Sequence, residues 1–410
     1  MTRTFIMAGQ RGASDLGFSP PRLARLVEVL ESEIERERLP GAVALIARHG
    51  KLVLCESMGL QDPERATPMA LDSVFRIYSM TKPIVSVAVL MLMEQGRLLL
   101  SDPVAKYLPE FKQLTIADAG GGNGRPVKTA PTLQDLLRHT AGFTYGFTGD
   151  SPLQMRYREV FAGARKMSNE AFCRKLAELP LVAEPGTVWE YSHATDVLGR
   201  VIEVVGGHPL GVWLRQQIFE PLAMHETAFF VPPEQHHRIA EAFGHNPDGG
   251  PRMAMLDPRE VPTNESGGGG LVSTALDYAR FLQFMLKRGT LGEVRLLGSR
   301  TVDWMTADHL GPIAANASSA PRDLLPEGNG FGLGFAVRTE AGVAPVPGSL
   351  GSYYWGGIGG TTFFVDPKED MFALMMIQAP NQRDYYRPLF RNLVYAALVD
   401  APAQRRRKGD

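Results

Sequence analysis

Cysteine, net charge and long apolar runs are all scarce in this 410-residue chain, and each scarcity excludes a class of protein. Cys55 and Cys173 are the two cysteines, one in a strand-like and one in a helix-like segment. They read as free, buried thiols, so no disulfide framework holds the fold. A formal net charge of −1 gives no electrostatic basis for binding nucleic acid or an anionic membrane. The single run of like charge, Arg405-Arg406-Arg407-Lys408, reads as a solvated tail. No segment reaches membrane-spanning length, and the first residues hold no signal-peptide core, so a cytoplasmic protein is expected. His236, His237 and His245 fall in a loop without a metal-ligand pattern, and His139 reads as structural, so neither a metal nor a cofactor is expected. A G-x-S-x-G elbow is missing too, which removes the usual signature of a Ser-His-Asp hydrolase.

What is present is an ordinary folded composition, 44% hydrophobic and 21% charged, with enough chain for two or three domains. Leu23, Leu26, Val27, Leu30 and Ile34 follow helical spacing up to Pro40-Gly41. The segment AVALIAR then reads as a strand, His49-Gly50-Lys51 as a turn, and Leu52 to Met58 as the returning strand. Helical segments separated by Gly/Pro loops follow: Leu133 to Arg138, Asn169 to Glu178, Ala194 to Val205, Pro209 to Phe219 and Thr274 to Lys287. The glycine-rich stretches Ala119 to Asn123 and Ser266 to Gly270 lack a phosphate-loop pattern and read as connectors. Beyond about residue 328 the pattern becomes strand-like at Phe331 to Arg338, Ser352 to Gly356, Thr361 to Val365 and Met371 to Ile377, before a last helix at Tyr385 to Leu398. The expected architecture is an α/β domain built from residues 1–95 and 291–410, with a mainly helical domain, 96–290, inserted between them. A catalytic cleft would lie at their junction.

Ser79-Met80-Thr81-Lys82 carries the chemistry. Ser-x-x-Lys at a helix start places hydroxyl and amine one turn apart on one face, so the amine can take the hydroxyl's proton. Such a tetrad arises by chance on the order of once per chain, so its setting decides. Lys82 alone among the lysines has a serine three residues before it, and Ile77, Ile84, Val85 and Val87 surround it in sequence. A lysine embedded in that way needs partners. Ser79 at the helix N-terminus would also present its own N–H to an oxyanion.

Three further segments join it: TLQDLLRHTAGFTYGF with Tyr145, WEYSHATDVLG with Tyr191, and YWGGIGGTTFFVDP with Trp355-Gly356-Gly357 at a strand end. Ser79-x-x-Lys82, Tyr191-Ser192-His193 and Trp355-Gly356-Gly357 resemble, in order and spacing, the Ser-x-x-Lys, Tyr-x-Asn and Lys-Thr-Gly elements of serine β-lactamases and penicillin-binding proteins. The nearest resemblance is to the class C β-lactamase-like carboxylesterases called family VIII esterases, and it extends over nearly the whole chain. It implies a β-lactamase/DD-peptidase-like fold, an antiparallel sheet flanked by helices. It implies also that Ser79 is the nucleophile, that Lys82 and Tyr191 are a coupled base pair, and that the N–H groups of Ser79 and Ile358 form the oxyanion hole. Trp355, Gly356, Gly357, Tyr145 and His193 would bound the substrate.

Two departures bear on substrate choice. Trp355 stands where the relatives carry a cation that holds a carboxylate, and His193 stands where they carry an amide. The first favours a neutral substrate, both point from amides toward simple small-molecule esters, and a pocket bounded by aromatic residues such as Tyr145 and Trp355 suits short acyl chains. An acyltransferase on the same scaffold, and a weak β-lactamase or D-alanyl peptidase, are the catalytic alternatives; a non-catalytic binding protein would not need Ser79, Lys82 and Tyr191 together. Plainer readings stand beside some of these residues: Tyr191 as a packing tyrosine, Trp355 as core, Tyr145 as loop packing.

Overall fold

The computed structural model describes residues 10–315 and 324–399; the Arg405–Lys408 run lies outside them. Apart from two small hairpins (Thr115–Ala117 with Asn123–Pro126, and Thr290–Leu291 with Val294–Arg295), its strands, in chain order, are β1 (Gly41–Arg48), β2 (Lys51–Asp62), β3 (Thr67–Pro68), β4 (Phe75–Arg76), β5 (Val272–Ser273), β6 (Asn329–Phe331), β7 (Ala336–Arg338), β8 (Tyr353–Gly356), β9 (Thr362–Asp366) and β10 (Met371–Ile377). Eight of them form one sheet in the order β6-β7-β8-β9-β10-β1-β2-β3, all neighbours antiparallel, while β4 and β5 pair separately. The last strand in the chain, β10, therefore lies against the first, with Leu45 opposite Leu374.

The middle of this sheet is apolar without alternation because both faces are covered. Side chains of a strand alternate between faces. Val43, Leu45 and Ala47 of β1 join the larger core, together with Phe372, Leu374 and Met376 of β10. Ala42, Ala44 and Ile46 join a second core with Met371, Ala373 and Met375. Helices α1 (Pro20–Glu35) and α5 (Arg383–Ala397) cover the second face, burying Leu23, Leu26 and Leu30 against Tyr386, Phe390 and Val394. On the first face lie α2 (Thr81–Glu94) and α4 (Ala275–Leu286), α4 packing against β10 and β1. Beyond them the helical region includes α3 (Ala194–Gly206).

The turn between β1 and β2 is two residues long, His49 and Gly50, both at positive φ (52° and 73°), as a tight antiparallel hairpin requires. The stretch Phe331 to Arg338, expected as one strand, is instead the hairpin of β6 and β7. Gly332 and Gly334 bend it where a Cβ would strike the Met305 carbonyl (2.4 Å) and the Ser86 hydroxyl (2.4 Å). Among the described residues no single helix is long and apolar enough to cross a membrane.

Candidate active site

Ser79 sits in a 3₁₀ turn, Tyr78–Met80, that runs directly into α2. α2 is apolar on all sides and buried from Thr81 to Leu92, so it runs through the interior rather than over it. The chain enters it through Tyr78, whose φ of 44° is rare for a residue with a Cβ. Two contacts hold that conformation: the Tyr78 hydroxyl accepts the Leu256 N–H (3.0 Å), and its ring lies over Gly359, where a Cβ would come within 2.9 Å. The strained residue thus sets the direction of the next one, and Ser79 emerges half-buried among buried neighbours.

Two groups converge on the Ser79 Oγ. The Tyr191 hydroxyl donates to it at 2.7 Å and the Lys82 Nζ at 3.3 Å. Lys82 is 1% exposed, so its Nζ depends on protein acceptors: the Gly268 carbonyl (2.6 Å) and the Tyr145 hydroxyl (3.0 Å). Its Nζ also lies 4.6 Å from the Tyr191 ring centroid, so these two side chains meet through Ser79 and through the ring face. Burial, followed by the negative charge of Asp196, pushes the Tyr145 hydroxyl well above its ordinary pKa; it remains a neutral acceptor. Tyr145 in turn stacks on Phe147 (4.6 Å), which is 57% exposed.

Tyr191 stands between Trp355 (5.3 Å) and His139 (4.9 Å) just before α3. Burial, then the Lys82 charge, holds the His139 imidazole well below its usual pKa, so it supports Tyr191 as a neutral ring. Trp355 is 5% exposed and packs edge-on to Phe331, forming the wall behind Tyr191. His193 turns away from Lys82: its Nδ1 pairs with Asp196 (3.0 Å), and Tyr145, Phe161 and Phe172 enclose its ring. Gly357 lies against the nucleophile turn, where a Cβ would be 2.3 Å from the Ile77 carbonyl. The N–H groups of Ser79 and Ile358 meet no acceptor among the described residues.

Sequence reasoning missed Asp196, Ser266, Gly268 and Arg387. Asp196 accepts the Ser266 hydroxyl (2.5 Å) and the Gly268 N–H (2.9 Å), which fixes the loop whose carbonyl receives Lys82. Burial opposes its charge, yet His193, Ser266 and Lys82 together hold its pKa below the usual value. The Ser266 to Gly270 stretch, expected to be a connector, is therefore part of the site. Asp196 has only a weak signal, an acid in a helix's first turn, which ordinarily means capping. A cation from α5 attends this strand end from another direction: Arg387 donates to the Gly357 carbonyl.

Residues 25–396 match the Beta-lactamase family. An uncharacterized protein of Mycobacterium tuberculosis is 34% identical over 350 residues, covering 83% of this chain and 86% of the relative. Esterase EstB of Burkholderia gladioli is 32% identical over 379 residues, covering 86% and 89%. Among solved structures, EstCE1, "a hydrolase with promiscuous acyltransferase activity", superposes with a TM-score of 0.75 at 27% identity, covering 93% of this chain and 99% of that one. A serine and a lysine held one turn apart, a tyrosine on the serine hydroxyl, and this agreement over most of the chain's length lead to one conclusion: the chain belongs to the beta-lactamase family, as a serine hydrolase of its family VIII esterase branch.

Proposed function

We propose that the protein is a carboxylesterase that hydrolyses short-chain acyl esters through an acyl-enzyme on Ser79. The observation that carries this reading is the convergence of the Tyr191 hydroxyl and the Lys82 Nζ on one oxygen (2.7 and 3.3 Å). In the first step the pair holds one proton fewer than an ammonium and a phenol together, and the Ser79 Oγ attacks the ester carbonyl carbon as its proton passes to that base site, the Lys82 amine or the Tyr191 phenolate. The tetrahedral oxyanion is received by the N–H groups of Ser79 and Ile358. Collapse breaks the bond to the alcohol oxygen, which takes the proton back from the pair and leaves. Water then attacks the acyl carbon, gives a proton to the same pair, and Ser79 recovers it as the carboxylic acid departs.

Phe147, stacked on Tyr145 beside Lys82 and 57% exposed, offers apolar surface next to the site, which suits a neutral acyl or alcohol group. The resemblance to EstCE1 favours a second outcome for the same acyl-enzyme, resolution by an alcohol in place of water. The test is a fluorophosphonate probe with mass-spectrometric mapping, beside turnover of p-nitrophenyl butyrate. Label on Ser79, and a folded Ser79→Ala variant slower by about 10³-fold or more, are expected. Label elsewhere, or a variant that keeps most of its activity, overturns the reading.

A further inference from the structure

We propose that Arg387 is a positioning residue that orients the oxyanion-binding peptide by holding its carbonyl. This rests on the assignment of the Ile358 N–H to the oxyanion hole. That N–H and the Gly357 C=O belong to one peptide unit, and the described chain has no cis peptide bonds. In a trans peptide the two groups point in opposite directions. The Gly360 N–H donates to that carbonyl (3.0 Å) and closes a turn, so a second donor on the same oxygen completes the hold on where the N–H points.

Arg387 is built to be that donor. Its guanidinium reaches from α5 and donates to the Gly357 oxygen. The nearest carboxylate, Asp384, is 3.9 Å from its Nη1 and shared with Arg383, and its buried Nε has no hydrogen-bond partner. Its principal contact is therefore the peptide, not an ion pair. A hydrogen bond from a cation draws electron density toward the carbonyl oxygen and makes the opposite N–H a stronger donor. On the other side the peptide is held against the nucleophile: Gly357 packs on the Ile77 carbonyl, which also accepts the Thr361 hydroxyl (3.4 Å).

The two glycines after Trp355 acquire separate physical reasons. A Cβ at Gly356 would lie 2.9 Å from the guanidinium Nε and Nη2, and one at Gly357 would lie 2.3 Å from the Ile77 oxygen. The first glycine admits the cation and the second admits the nucleophile turn. With either side chain in place, the peptide between them would shift.

The experiment measures kcat and KM for p-nitrophenyl butyrate, a neutral ester that offers Arg387 no charge, in Arg387→Met and Arg387→Lys. The affinity of a phenylboronic acid, whose adduct with Ser79 is tetrahedral, is measured in parallel. Arg387→Met should lose about 10- to 100-fold in kcat with KM changed by less than about threefold, and boronate affinity should fall by a similar factor. Arg387→Lys, which keeps a charged donor, should recover part of the loss. Gly356→Ala should give the same kcat-specific defect while the charge remains, which provides the answer if the arginine variants do not fold. A folded Arg387→Met with kcat and boronate affinity within about threefold of the parent overturns the proposal, as does a rise in KM at unchanged kcat. Fluorophosphonate labelling separates the failures: unlabelled Ser79 refutes the esterase reading, whereas labelled Ser79 with unimpaired Arg387→Met refutes only this one.

Discussion

Lys82 illustrates what a single residue must satisfy here. Its three hydrogen-bond partners, Ser79, Tyr145 and Gly268, come from three separate segments of the chain, so its position depends on long-range folding. Burial raises the Tyr145 hydroxyl's pKa and it contacts Lys82, whereas Lys82 and Tyr191 both touch the Ser79 oxygen, so the proposed mechanism assigns proton movement to those two. Groups that act on one proton are not additive. Lys82→Ala and Tyr191→Phe should therefore each cost nearly as much in kcat as the double variant, and a double-mutant cycle checks this; defects that simply multiply would mean two independent roles. At this scale the sequence was informative wherever chemistry resides in a side chain with a spacing, as for Ser79, Lys82 and Tyr191. It was silent on the Gly268 carbonyl, because every residue has a carbonyl and only the fold selects one. It was silent too on the partner of His193, whose Nδ1 pairs with Asp196.

Elements were legible where one periodicity dominated. β1, β2, α3 and α5 fall close to where their apolar patterns put them, and the break between β6 and β7 did not, because it is imposed by Met305 and Ser86 from distant segments. α4 has a further constraint at its start. Thr274 caps it by accepting the Asp277 N–H (3.2 Å), while the Asp277 carboxylate accepts the Glu226 N–H (2.7 Å) and the Thr227 hydroxyl (3.0 Å). Burial pushes the Asp277 carboxyl up to about 6 despite those donors. Its folded pKa lies above that of a free aspartate, so the protonated form favours the native state. That contribution is complete below about pH 4 and is lost as the pH rises through about 6. Asp277→Asn keeps an oxygen for both donors without the charge. It should raise stability at pH 8 by on the order of 2 kcal/mol, a few degrees in Tm, and by much less at pH 4. Equal melting shifts at both pH values would show that the buried charge is not the cause.

Across the whole molecule, closure of the chain on itself makes the site. β10 returns to pair with β1, and the helix that follows, α5, brings Arg387 to the end of β8 beside the nucleophile turn. Trp355 alone suggested that no cation attends this strand, and from that followed a preference for neutral substrates. A cation does come to the end of this strand, but its guanidinium donates to the Gly357 carbonyl, so the proposed preference keeps its ground. A β-lactam carboxylate entering the cleft would have to compete for that donor or remain unpaired. An unpaired charged group costs a few kcal/mol, or about two to three orders of magnitude in rate. A neutral ester faces no such cost. On one preparation, kcat/KM for p-nitrophenyl butyrate should therefore exceed that for nitrocefin by about 100-fold or more. Nitrocefin turned over as well as the ester would mean that the guanidinium releases the peptide to bind substrate, and that this cleft is built for anions.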